Sequence, residues 1–163
     1  MSKTLDQLVD SSKLKEINDW ILKYPVYGKK SSVIRILMIV QEIYGYLNDE
    51  LIVAVANYLG VSYISVYEVA KFYSMFFLNR VGKYVISICT SLSCCLLNAD
   101  NVVEYIKNKL DISFNETTKD GKFTLKEVSC LAFCIHAPVI KINKNLYKNI
   151  TFDKVDFILK KYL

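Results

Sequence analysis

The chain is 163 residues long, 53% hydrophobic and 13% aromatic, enough to bury one medium core or two small ones with apolar surface left for a partner. Its net charge of +5 is a lysine charge, since only Arg35 and Arg80 are arginines. That excludes a typical nucleic-acid reader, which leans on the arginine fork for base and phosphate contacts.

Met1–Asp10 carries Asp6 and Asp10 and no continuous apolar core, so neither a secretory signal nor a transit peptide is expected. Ile17, Trp20, Ile21 and Leu22 suggest a first amphipathic helix, ended before Pro25. Ser31 or Ser32 is a candidate cap for a second helix with the stripe Ile34, Leu37, Met38, Gln41 and Tyr44, closed by Gly45. Asn48 is a candidate cap for a third, with Asp49 and Glu50 in its first turn and Gly60 just past its end. Ser65-Val-Tyr-Glu68 reads as a capping box opening a fourth helix to about Phe77. The apolar windows Val33–Val40 and Val66–Leu78 are interrupted by Arg35, Glu68 and Lys71, so no membrane span is expected.

Near Val81 the period changes, which divides the chain into a helical domain over 1–80 and a second domain over 81–163. Lys83–Ile88 is a short β-rich run, Asn101–Leu110 is helical with Val102, Val103 and Ile106 on one face, and Lys122–Ser129 alternates again. Val139–Ile142 and Leu146–Ile150 flank Asn143-Lys-Asn145 as a hairpin, and Thr151 is placed to cap a last helix. The order β-α-β then β-β-α requires a parallel first pair with a right-handed crossover. The expected fold class is α+β, an N-terminal helical bundle followed by a thioredoxin-like α/β domain.

The five cysteines suit a reducing, cytosol-like compartment, where they are ligands or catalysts rather than disulfides. Cys89 follows the first strand and Cys130 the second. If those strands are parallel neighbours, about 4.8 Å apart, the loops Cys89–Cys94 and Cys130–Cys134 emerge side by side. Structural zinc is a rival occupant, but zinc knuckles favour Cys-x2-Cys, whereas these gaps are Cys-x4-Cys and Cys-x3-Cys; spacing alone favours an iron–sulfur cluster and leaves zinc open. No Cys-x-x-Cys is present, so a dithiol oxidoreductase lacks its motif. The single histidine, His136, excludes a Rieske centre and a two-histidine zinc protease; it reads as a loop residue or a hydrogen-bond partner of the cluster. Cys95, adjacent to Cys94, reads as a small core residue. The glycines Gly28, Gly45, Gly60, Gly82 and Gly121 form neither Gly-x-Gly-x-x-Gly nor a P-loop, so no site for NAD, FMN or ATP is expected on this chain.

Cys89-Thr-Ser-Leu-Ser-Cys94, Glu116-Thr-Thr, Phe123-Thr-Leu, Glu127-Val-Ser-Cys130-Leu-Ala-Phe-Cys134 and Ala137-Pro138 resemble the thioredoxin-like ferredoxin family of small [2Fe–2S] subunits found in bacterial NADH:quinone oxidoreductase, respiratory complex I. Val66-Tyr-Glu-Val-Ala-Lys-Phe-Tyr-Ser-Met-Phe76 and Val81-Gly-Lys-Tyr84 extend the match, which runs from about Tyr24 to the C-terminus. The resemblance implies one [2Fe–2S] cluster on Cys89, Cys94, Cys130 and Cys134. It implies a partner flavoprotein subunit that binds NADH and FMN, other peripheral-arm subunits, and a cytoplasmic location, peripheral on the inner membrane as part of a complex. This subunit would accept single electrons from the flavin without itself carrying out catalysis. Three places depart from the family pattern: Ala132 where Gly is usual, Phe133 where a small residue is usual, and Cys95-Leu96-Leu97-Asn98 where a basic residue and Gly often occur. They bear on potential and docking.

Other readings remain. An equivalent diaphorase subunit of an NAD-linked hydrogenase or formate dehydrogenase fits the same motifs. Ala56-Asn-Tyr-Leu-Gly60 followed by Val66 has helix-turn-helix spacing, but Ser65–Phe76 is apolar and aromatic where a recognition helix needs polar and basic side chains. A free ferredoxin-like carrier would have little use for the extra helices.

Overall fold

The structure is a computed structural model that describes residues 4–163. It forms two compact units, one ending at Arg80 and the other spanning Val81–Leu163. The reading of Met1–Asp10 falls partly on residues 1–3, outside the described residues.

The first unit contains α1 (Leu5–Leu8), α2 (Ser11–Ile21), a 3-10 segment Val26–Ser32, α3 (Val33–Tyr44), α4 (Asp49–Leu59) and α5 (Tyr63–Phe72). α4 follows its sequence signals: the Asn48 side chain accepts the Leu51 N–H at 2.9 Å, and Gly60 closes the helix at φ 67, where a glycine carries no Cβ penalty. The second helix departs from expectation. Ser32 does not cap α3; its hydroxyl donates to Lys29 O at 2.6 Å, because the 3-10 segment runs straight into the helix. The buried face is Val33, Ile36, Leu37, Ile39 and Val40 rather than the stripe through Ile34, Met38 and Tyr44. Leu22, expected on the first helix's apolar face, lies past the end of α2 and is exposed.

α5 also starts and stops early. Its cap is Ser62, whose hydroxyl accepts the Ser65 N–H, so Ser65 sits in the first turn instead of before it. The helix ends at Phe72 and not at Phe77: Tyr73 leaves the helix in an extended conformation, and Gln41 holds the turn that follows. Gln41 Nε2 donates to Met75 O at 2.9 Å, and Phe77 N–H donates to Gln41 Oε1 at 2.7 Å. Ile17, Ile36, Leu37, Ile52, Val55, Val66 and Ala70 share one core. A fully buried aliphatic chain of this kind contributes about 1.5–3 kcal/mol.

The second unit contains β1 (Tyr84–Cys89), α6 (Leu92–Leu96), α7 (Ala99–Leu110), β2 (Phe123–Val128), a 3-10 turn Cys134–His136, β3 (Ile140–Ile142), β4 (Asn145–Tyr147) and α8 (Phe152–Tyr162). With the helical first unit this agrees with the α+β class. The sheet order is β2-β1-β3-β4. β1 and β2 are parallel, with Tyr84 opposite Phe123 and Cys89 opposite Val128; β3 lies antiparallel to β1 on its other edge. The hairpin turn is two residues, Asn143 and Lys144, with Ile142 opposite Asn145, so Asn145 belongs to β4 and is not part of a three-residue turn. Asn143 takes φ 52, a conformation asparagine tolerates better than most residues, and its side chain accepts the Val85 N–H. Thr151 caps α8 by accepting the Lys154 N–H. Ile86, Ile88, Ile106, Leu125, Ile142 and Val155 form the core.

Two backbone features fix the entry to β1. Gly82 is buried, and a Cβ there would lie 2.8 Å from Lys122 O. Its N–H donates to Thr124 Oγ1 at 2.6 Å, and Thr124 Oγ1 also bonds Thr117 Oγ1. The close approach locks β1 against β2 in one register, and that register sets the cysteines.

Candidate iron–sulfur site

The parallel pair delivers the two cysteine loops to one edge of the sheet. Cys89 is the last residue of β1, opposite Val128, so Cys130 stands two residues beyond the adjacent position on the neighbouring strand. Thr90 N–H donates to Val128 O at 3.1 Å and Cys89 N–H to Val139 O at 3.3 Å, which hold the end of β1 against both neighbours.

In the first loop Ser91 precedes the short helix α6, which carries Cys94. Cys89 and Cys94 are buried and pack with Ala99, Ala137 and Leu131. The Cys89 sulfur lies 3.3 Å from Ser91 Oγ and 4.0 Å from Ser129 O. Burial pushes the Cys89 thiol up, but hydrogen bonds from the Ser91 hydroxyl and backbone, from Cys94 and from the Leu131 backbone more than offset it, leaving it at about 7. Burial raises Cys94, and its neighbour Cys89 raises it further. One thiol of the pair is therefore readied for the thiolate form, which is the form that binds metal.

In the second loop Cys130 and Cys134 are exposed. Ala132 adopts φ 55, a left-handed conformation that costs a non-glycine residue about 1–2 kcal/mol, and in doing so its N–H reaches the Cys130 sulfur at 3.2 Å. Cys134 opens the 3-10 turn, and the Ala137–Pro138 peptide that follows is cis. Phe133 stacks on His136, with ring centroids 5.2 Å apart and planes 19° from parallel. Lys148 Nζ lies 4.2 Å from the centre of the Phe133 ring.

Cys95 is not the core residue its sequence context suggested. It is half-buried, and its thiol donates to Thr90 O and Asp100 Oδ1, each at 3.4 Å. Burial and the Asp100 carboxylate both push its thiol up, away from ligation. Among the described residues no three His, Cys, Asp or Glu side chains meet at the spacing of a single metal ion. What the loops offer is two pairs of cysteines, with backbone N–H groups of Leu131 and Ala132 turned toward Cys89 and Cys130. A two-iron cluster takes two thiolates on each iron and has sulfurs that accept such N–H groups, so this donor set fits one. Sequence reasoning missed the Ser91 hydroxyl and the Lys148–Phe133–His136 stack. The serine inside a cysteine loop was a usable signal; the stack joins residues brought together only by the fold.

Comparison with known proteins adds four findings. Residues 17–163 match the family model described as thioredoxin-like [2Fe-2S] ferredoxin. The E chain of the NADH-quinone oxidoreductase of Rickettsia felis is 42% identical over 154 residues, covering 94% of this chain and 92% of that protein. The protein of the same name from Rickettsia prowazekii is 43% identical over 144 residues, 88% of this chain and 81% of that one. Among solved structures, an NAD+-reducing [NiFe]-hydrogenase in the air-oxidised state superposes with a TM-score of 0.67 at 15% identity. It covers 77% of this chain but only 22% of the hydrogenase chain, a likeness of fold.

Proposed function

Since the chain belongs to the thioredoxin-like [2Fe–2S] ferredoxin family, we propose that it is the electron-transfer subunit of an NADH:quinone oxidoreductase, with its cluster on Cys89, Cys94, Cys130 and Cys134. The observation that carries this reading is the parallel register of β1 and β2, which sends both cysteine loops to one sheet edge. When bound, the cluster supplies a one-electron acceptor.

The chain's residues provide the setting. Ser91 and the Leu131 backbone donate hydrogen bonds toward the Cys89 sulfur, which favours its thiolate, and the Ala132 N–H donates to the Cys130 sulfur. The buried pair Cys89 and Cys94 anchors the inner side, and the exposed pair Cys130 and Cys134 leaves the outer side open to a donor. The residues contain no nucleotide-binding glycine loop, so the hydride chemistry belongs to a partner flavoprotein carrying NADH and FMN. We place the chain as a peripheral subunit on the cytoplasmic face of a larger complex; no helix among the described residues is long and apolar enough to cross a membrane.

Exposed apolar side chains support a fixed place in an assembly. Leu92, Leu96 and Ile135 beside the cysteine loops are 75–87% exposed, and Phe72 at the end of α5 is 80% exposed. Such side chains are costly to leave in water and mark contact surfaces. The test is anaerobic. The reconstituted chain alone should not be reduced by NADH and should bind no flavin. Added flavoprotein should make NADH reduce it. Stoichiometric flavin on the isolated chain, or direct reduction by NADH, would contradict the division of labour.

A further inference from the structure

We propose that Lys148 raises the reduction potential of the cluster, acting across the Phe133 ring beside Cys134; the inference rests on the cluster reading above. β4 ends at Tyr147, and the chain beyond it is tied to the second cysteine loop. Asn149 N–H donates to His136 O at 2.8 Å and Ile150 N–H to Pro138 O at 3.1 Å. That tether sets Lys148 over the loop, with its ammonium 4.2 Å from the centre of the Phe133 ring. An ammonium on an aromatic face is attracted by the ring's quadrupole, which restrains an otherwise mobile side chain. Phe133 is itself fixed by its stack on His136, and it is the chain neighbour of Cys134. Adjacent Cα atoms are about 3.8 Å apart, so the ammonium stands on the order of 10 Å from Cys134, about one Debye length at roughly 0.1 M salt.

Carboxylates stand on the side of the first loop: Asp100 accepts the Cys95 thiol, and Glu127, near the end of β2 between the two loops, accepts the Thr90 hydroxyl at 2.9 Å. The Lys148 cation stands on the far side, over the second loop. An added electron makes the cluster more negative, so a fixed cation nearby favours the reduced state, and net charge near the sulfurs is one of the settings of such potentials. Lys148 is exposed, so water screens much of the effect.

The experiment is an EPR-monitored redox titration of the full reconstituted chain and its variants. Lys148→Gln should lower the potential, so that at the wild-type midpoint the reduced-to-oxidised ratio falls about threefold, or about 28 mV at about 59 mV per tenfold. Lys148→Arg should keep the wild-type potential. Phe133→Ala should shift it in the same direction as Lys148→Gln, by releasing the ammonium. The Lys148→Gln difference should shrink as salt rises. An intact cluster spectrum with an unmoved midpoint in Lys148→Gln overturns the proposal. So does an equal shift in Lys144→Gln at the hairpin turn, which would make the effect one of net charge alone. Absence of a cluster in the wild-type chain would instead sink the functional reading on which this one rests.

Discussion

Gly82→Ala probes the contact that aligns the cysteine loops. The added methyl group would lie 2.8 Å from Lys122 O, 2.9 Å from Lys122 C and 3.0 Å from Gly121 O, all backbone atoms that cannot swing aside. Overpacking of this kind costs about 1–3 kcal/mol. Displacing the strand also weakens the bond from Gly82 N–H to Thr124 Oγ1, worth about 0.5–1.5 kcal/mol. Against this, alanine reduces the freedom of the unfolded chain, a gain of about 0.4–1 kcal/mol. The net is a loss of roughly 0.5–4 kcal/mol, with a midpoint of about 2 kcal/mol that corresponds to roughly 4–8 °C in Tm for a chain of this size. Urea denaturation of the cluster-loaded protein, followed by far-UV circular dichroism and by cluster absorbance, measures it. The cluster signal should be lost at lower urea than in the wild type, because the same register positions Cys89 and Cys130. Stability within about 0.5 kcal/mol of the wild type would refute the argument that this close approach sets the register.

Three further outcomes follow from single residues. Ala132→Gly should stabilise the chain by roughly 0.5–1 kcal/mol, because relief of the left-handed strain exceeds the entropy glycine adds to the unfolded state; chemical denaturation checks it. Asn48→Ala should cost about 1 kcal/mol by removing the cap on the Leu51 N–H, read from the same curves. Asp156 accepts from Lys109 and Tyr105, which hold its carboxyl below the ordinary range. Its stabilising effect is therefore present above the unfolded carboxylate value and lost as pH falls through the lowered one. Asp156→Asn should lower Tm near neutral pH and make little difference at about pH 2; an equal deficit at both would count against the ion pair.

Much of the fold was legible because its signals are local. Asn48 and Gly60 bracket α4 through chemistry carried by those two residues. Thr151 does the same for the start of α8, and the change of period near Val81 marks where helices give way to strands. The misreadings came from distant contacts. The turn after α5 is held by Gln41, whose side chain bonds Met75 and Phe77 from another helix, and no pattern within Val66–Leu78 records that. The stripe on α3 was misplaced because Ile36, Ile39 and Val40 extend its apolar side well past one heptad line, and the packing of α4 and α5 chooses among the faces. The cysteine spacing was readable, and so was the consequence of placing Cys89 and Cys130 after adjacent parallel strands. The left-handed turn at Ala132 was not, since alanine carries no signal for positive φ. Nor was the position of Lys148, which depends on the hairpin returning along the second loop.

The most direct measurement is the EPR spectrum of the reduced, anaerobically purified chain, taken for the wild type and for the serine variants of its five cysteines. One [2Fe–2S] signal per chain is predicted for the wild type and for Cys95→Ser, whose thiol is turned to Thr90 and Asp100. The signal should be lost or strongly altered in Cys89→Ser, Cys94→Ser, Cys130→Ser and Cys134→Ser, because each leaves an iron short of a thiolate. A zinc-loaded, EPR-silent wild type, full cluster content in Cys130→Ser, or loss of the cluster in Cys95→Ser would contradict the assignment.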